Sequence, residues 1–150
     1  MAYYLDLSNY DYSGRHSFPG LKNVGWLELG HSYEVMEPTE DVLSLLWNAC
    51  SVTVAQFRGL HICEFCASEK STYAERLGKK LLLGDSEIRV FSEGGDVFAA
   101  PNLIYHYVEA HKYKPPDDFL EALRGGPRPP GGDYFRRLRK LNIEWKLNPT

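Results

Sequence analysis

No stretch of this 150-residue sequence is apolar for long. The greasiest strings, such as Leu43–Trp47, are short and mixed with polar residues. They fall well below the ~18 consecutive apolar residues that a membrane-spanning helix needs. Cysteine is scarce, with only Cys50, Cys63 and Cys66. So small and odd a number does not suggest a disulfide framework. Neither sign of charge dominates, since 17 Lys and Arg stand against 20 Asp and Glu. Composition alone therefore gives no reason to expect non-specific binding to nucleic acid or anionic membrane. The opening Met1-Ala2-Tyr3-Tyr4-Leu5-Asp6 has no basic start followed by an apolar stretch. No secretory signal is read there, and a cytoplasmic location is expected. The sequence also lacks H-E-x-x-H, a nucleophile elbow and a phosphate-cradling glycine loop. No catalytic residue is assigned, and a non-enzymatic role is expected.

What is present is enough for a real core: 43% of the residues are hydrophobic and 13% aromatic. Tyr3, Tyr4, Tyr10 and Tyr12 crowd the start, and Val24-Gly25-Trp26-Leu27 reads as a short strand. Thr39 can cap a helix whose apolar face is Val42, Leu43, Leu46, Trp47 and Cys50. Cys50, closing that stripe, reads as a small buried hydrophobe. A strand is expected from Val52 toward Gly59 and onward to Ile62. Residues 67–86 read as a short helix or a loop. Glu87–Phe91 and Val97–Ala99 make two strands joined by the turn Glu93-Gly94-Gly95-Asp96. Pro101 suits the first turn of a helix carrying Leu103, Ile104, Tyr107, Val108 and His111, and a further short helix follows Asp117-Asp118. The reading is an α+β fold: a small antiparallel sheet with about three helices around a zinc-finger-like core. Residues 1–124 form the domain and 125–132 a Gly/Pro linker. Residues 133–150 are a basic tail, expected to be solvated or weakly docked.

The chemistry lies in Cys63-x2-Cys66, followed after 39 intervening residues by His106-x4-His111. Zinc takes thiolate and imidazole ligands tetrahedrally. A C-x-x-C turn offers two sulfurs about one ion apart, and two histidines near one helix end supply the rest. The string Phe98-x4-Leu103-x2-His106-x4-His111 resembles the helical half of a Cys2His2 zinc finger, although finger halves are joined by only about a dozen residues. Positions five apart on an ideal helix sit roughly 140° apart around the axis. His106 and His111 reach one ion only if the helix widens or ends near Val108–His111. His61, two residues before Cys63, is the alternative ligand. Two thiolates and two imidazoles close the shell, so the ion is read as structural. Glu64, between the cysteines, reads as an exposed turn residue rather than a base.

Further strings carry a resemblance. They are Tyr4-x-Asp6-Leu7-Ser8-x-Tyr10-x-Tyr12, Val24-Gly25-Trp26-Leu27, Arg58-Gly59-x-His61-x-Cys63-Glu64-x-Cys66, Glu87-Ile88-Arg89-Val90, Ala99-Ala100-Pro101-x-Leu103-Ile104-x-His106-Tyr107 and His111-x-Tyr113-x-Pro115-Pro116. Together they are similar to an uncharacterised family of small bacterial proteins that carries only a domain-of-unknown-function label. The similarity covers roughly residues 3–124. It implies a stand-alone bacterial cytosolic protein and transfers no activity. Three functions remain open. The first is a protein-binding module, in the form of an immunity- or antitoxin-type inhibitor. The second is a nucleic-acid-binding regulator using the finger-like helix and Arg136, Arg137, Arg139 and Lys140. The third is a zinc-dependent hydrolase.

Overall fold

The computed structural model describes residues 2–11, 17–68 and 70–149. The Tyr12 reading lies outside the described residues. The centre is a three-stranded sheet in which β1 (Leu21–Asn23), β6 (Val97–Pro101) and β5 (Glu87–Phe91) lie in that order. Strands β5 (Glu87–Phe91) and β6 (Val97–Pro101) pair antiparallel, with Glu87 opposite Pro101 and Phe91 opposite Val97. The turn between them is tied by Asp96 N–H donating to Ser92 Oγ at 2.8 Å. Strand β1 (Leu21–Asn23) runs parallel to β6 on its other edge.

Every residue of β5 and β6 is buried. Such strands read as apolar runs rather than as alternation, because both faces of the sheet are covered. The period of two still decides which side each residue joins. Ile88, Val90, Phe98 and Ala100 face a core built with helix α1 (Glu40–Ala49), helix α2 (Ile104–His111) and helix α3 (Asp117–Gly125). Phe91, Val97 and Ala99 face a second core with Tyr10, Leu21, Trp26, Tyr134 and Leu138. Helix α1 starts as the sequence indicates, with Val42 N–H donating to Thr39 Oγ1 at 3.3 Å. Cys50 is buried, and burial raises its thiol pKa.

Several local expectations are corrected. Val24–Leu27 is not a strand. Gly25 adopts φ +80° and gives its N–H to Asp6 Oδ1 at 2.9 Å, so that segment leaves the ladder. After Val52, strand β2 covers only Val52–Thr53, and the left-handed Ala55 (φ +48°) breaks the extension. Pro101 ends β6 instead of opening a helix, and α2 begins at Ile104. Residues 67–86 contain a hairpin, β3 (Thr72–Arg76) with β4 (Lys79–Leu83). Leu77 and Gly78 both take positive φ, as a two-residue type I′ turn requires. Its inward residues are Thr72, Ala74, Leu81 and Leu83. Two of these are small or polar, which hides the alternation in the sequence.

The tail is the largest correction. It is docked firmly, not loosely. Helix α4 (Gly132–Lys140) buries Tyr134 and Leu138, and strand β7 (Lys146–Leu147) pairs antiparallel with β2. The Tyr134 hydroxyl donates to the Arg89 carbonyl at 2.9 Å. Basic residues dominate the sequence of this segment and mask its apolar anchors, Tyr134, Leu138 and Ile143. Leu138 is fully buried in that core, so Leu138→Ala is expected to destabilise the whole domain by about 2–5 kcal/mol in urea unfolding. A change within a few tenths of a kcal/mol would mean the tail is only loosely attached. Among the described residues, no helix is long and apolar enough to cross a membrane.

Candidate metal centre

Cys63 precedes a tight turn at Glu64–Phe65, and Cys66 closes it. The amides of Phe65 and Cys66 point at the Cys63 sulfur and favour its charged form. Burial opposes them, and with the neighbouring Cys66 sulfur it pushes the Cys63 thiol up to about 11. In such a turn a cation is the group that makes thiolates favourable. The turn is anchored from behind: His61 N–H donates to the Gly84 carbonyl at 2.9 Å, and Gly84 N–H to Asn102 Oδ1 at 2.8 Å. Gly84 has φ +98°, and a Cβ there would lie 2.1 Å from the His61 carbonyl oxygen. Gly84→Ala is therefore expected to displace the cysteine turn and cost at least about 2 kcal/mol, visible as a lowered melting temperature.

The histidines come from α2. His111 is its last residue, and Lys112 follows in the left-handed conformation at φ +57°. The helix thus ends where the geometry of a five-residue spacing requires. The two imidazole centroids are 5.0 Å apart. Tyr33 fixes this helix end by donating its hydroxyl to the His111 carbonyl at 3.1 Å. Phe65 packs against His111, Tyr107 and Tyr33, so the cysteine turn and the helix end share one aromatic wall.

The four side chains converge. Cys66 Sγ lies 3.2 Å from His106 Nε2 and 3.4 Å from His111 Nε2, and Cys63 Sγ lies 3.4 Å from His111 Nε2. All four ligand atoms fall within 4.8 Å of one another. A tetrahedral zinc with ordinary Zn–S and Zn–N lengths has S···N edges of about 3.5 Å. The observed spacings are those of a ligand shell, close enough to hold a metal ion. His61 is not in the group; its ring lies edge-on to Phe57 at 4.9 Å. Glu64 is exposed. Phe98 and Leu103, the finger-like pair, are both buried in the core that also contains Cys63. The supporting residues Tyr33 and Phe65 had no distinguishing signal in the sequence, because aromatics are abundant throughout it.

Burial lowers the pKa of both imidazoles, and for His106 the facing His111 adds to the effect. Both are therefore neutral at pH 7, with lone pairs available to a metal. An imidazole held below its unfolded pKa contributes stability above about 6.5 that is lost as pH falls through the folded value. Metal binding strengthens that dependence, since protons compete for the same atoms. Release of metal to a chromophoric chelator should accordingly rise steeply on acidification below pH ~6. Release that stays flat down to pH ~4 would contradict ligation by these histidines.

No curated protein and no solved structure matches this chain. A family model described as Domain of unknown function (DUF7919) matches residues 2–124, which include all four converging side chains and stop short of α4 and β7. The chain belongs to that family.

Proposed function

We propose that this chain is a non-enzymatic protein-binding module stabilised by a structural zinc ion. The convergence of two sulfurs and two imidazole nitrogens carries the reading. That donor set is borderline-soft and four-fold, which suits zinc, and it leaves no coordination position for a substrate. Two thiolates also blunt the Lewis acidity that hydrolysis would need. Two clefts among the described residues, of about 330 and 460 Å³, include none of the four residues. Surface composition supports a binding role. The β3–β4 hairpin displays Leu77 at 91% exposure in its turn and a half-exposed Tyr73 on β3. Apolar and aromatic side chains presented in this way are the usual anchors of protein interfaces. The nucleic-acid reading draws less support from the finger-like helix. The exposed residues of α2 are Glu109 and Ala110, not a basic row. The finer form of the reading, an inhibitor of immunity or antitoxin type, rests on small size and mild acidity.

Metal analysis of the native protein tests this reading. One zinc per chain is expected, and a cobalt-substituted sample should show the spectrum of a four-coordinate site with thiolate ligands. Metal-free native protein would sink it. An exchangeable water in the cobalt shell would favour the hydrolase reading instead.

A further inference from the structure

A cleft of about 460 Å³ opens between the β5–β6 turn and α4. Phe91, Val97 and Leu141 lie at its base, where Phe91 and Val97 are almost wholly buried and Leu141 is partly exposed. One wall carries Arg136, Arg137 and Lys140, and the opposite rim is the turn at Glu93 and Gly94–Gly95. The cations of this wall make no ion pair with the body of the domain among the described residues. Arg136 and Arg137 share a single carboxylate of their own helix, Asp133, at 2.8 and 3.6 Å. Arg137 also donates to the Ser92 carbonyl at 3.1 Å, which holds it across the cleft toward the turn. Lys140 is exposed and in no ion pair among the described residues.

The three cations lie outside the family-matched residues. Residues 125–150 hold six Lys and Arg against two acids, whereas residues 1–124 hold eleven against eighteen. The extension thus lays a concentrated positive wall on an acidic domain. Cations in a last helical turn complement the helix dipole. That effect does not account for a cleft of ligand size with apolar residues at its base.

We propose that this cleft docks an acidic segment of a partner protein. An apolar side chain of the segment would sit on Leu141, with its carboxylates meeting Arg136, Arg137 and Lys140. Charge complementarity selects the partner, and Leu141 supplies the anchor. A nucleic acid fits less well. It needs an extended row of phosphate contacts; the cleft sets three cations against two carboxylates, Glu93 and Asp133, a small positive excess that suits one or two peptide carboxylates. The inference rests on the protein-binding reading above for the class of partner, and it is independent of zinc.

The test uses the full chain and a short fluorescein-labelled peptide with glutamates flanking one central leucine, read by anisotropy at low salt. Binding is expected, and Arg136→Glu combined with Lys140→Glu should weaken it about tenfold or more. Added salt should weaken it as well. Exchanging the peptide's leucine for serine should weaken it separately. Both substituted positions are exposed, so an unchanged melting temperature confirms that the variant is folded. The assignment is overturned by no peptide binding, by binding insensitive to the charge reversal, or by tighter binding of oligothymidine than of the peptide. If the full chain nonetheless forms a defined complex with a protein through another face, only the cleft assignment falls.

Discussion

Cys63→Ser and Cys66→Ser are each expected to abolish zinc retention and to lower stability by at least about 4 kcal/mol at saturating metal. That is the stabilisation supplied by a ligand present at a thousand times its Kd. Serine keeps the size of the side chain, so the loss would be chemical rather than steric. Cys63 is buried in the main core, and the turn it opens has no strand ladder of its own. Its order therefore depends on the shared aromatic wall and on the ion. Hydrogen exchange of the variants should show the amides of residues 61–67 and the end of α2 losing protection first. Addition of a strong chelator to the unsubstituted protein should reproduce the effect. Variants that keep both zinc and melting temperature would remove the metal centre from the account of this fold.

Arg89→Met is expected to cost about 3–5 kcal/mol at pH 7, with most of the loss recovered in acid. Arg89 and Glu87 are both fully buried on the second face of β5. Arg89 Nη1 donates to Glu87 Oε1 at 2.8 Å, and the Tyr10 hydroxyl donates to Glu87 Oε2 at 3.0 Å. The Tyr10 ring also lies 5.1 Å from the guanidinium carbon. Burial already raises the Glu87 carboxyl pKa, against the lowering effect of Arg89. Without Arg89 it rises further, and folding at neutral pH must then capture a proton. A carboxyl held above its unfolded pKa loses stability as pH rises through that interval, and regains it below about 4.3, where both states are protonated. Glu87→Ala should behave differently. A guanidinium cannot neutralise itself, so the cost should persist at every pH at which the domain stays folded. Denaturant titrations at pH 4 and pH 7 separate the two cases; parallel behaviour of both variants would refute the pairing.

Much of this molecule was legible in its sequence, for physical reasons that differ from place to place. The cap at Thr39 and the apolar stripe behind it are local, so α1 could be placed from neighbours in the chain. The β5–β6 hairpin announced itself through a Gly-Gly turn between two apolar runs. The four converging side chains were readable because thiol and imidazole are scarce here. What the sequence could not show was which of three histidines would meet the cysteines, because that depends on where α2 stops. Lys112 stops it, in a conformation that nothing about a lysine announces. The β3–β4 hairpin was hidden for another reason. Ala74 and Thr72 are adequate against a nearby helix, yet they carry little apolar signal. The extension was misread because its charge is visible and its few anchors are not. Tyr134 matters through partners about 40 residues or more away in the chain, Phe91 and Arg89.

The two-sided sheet has a consequence for synthesis. The first face of the sheet can close as soon as α3 has left the ribosome, since all its partners precede residue 126. The second face cannot. Phe91, whose ring meets Tyr134 edge-on, stays partly wet until α4 arrives, so the nascent domain passes through an interval with one oily side open to whatever chaperone is near.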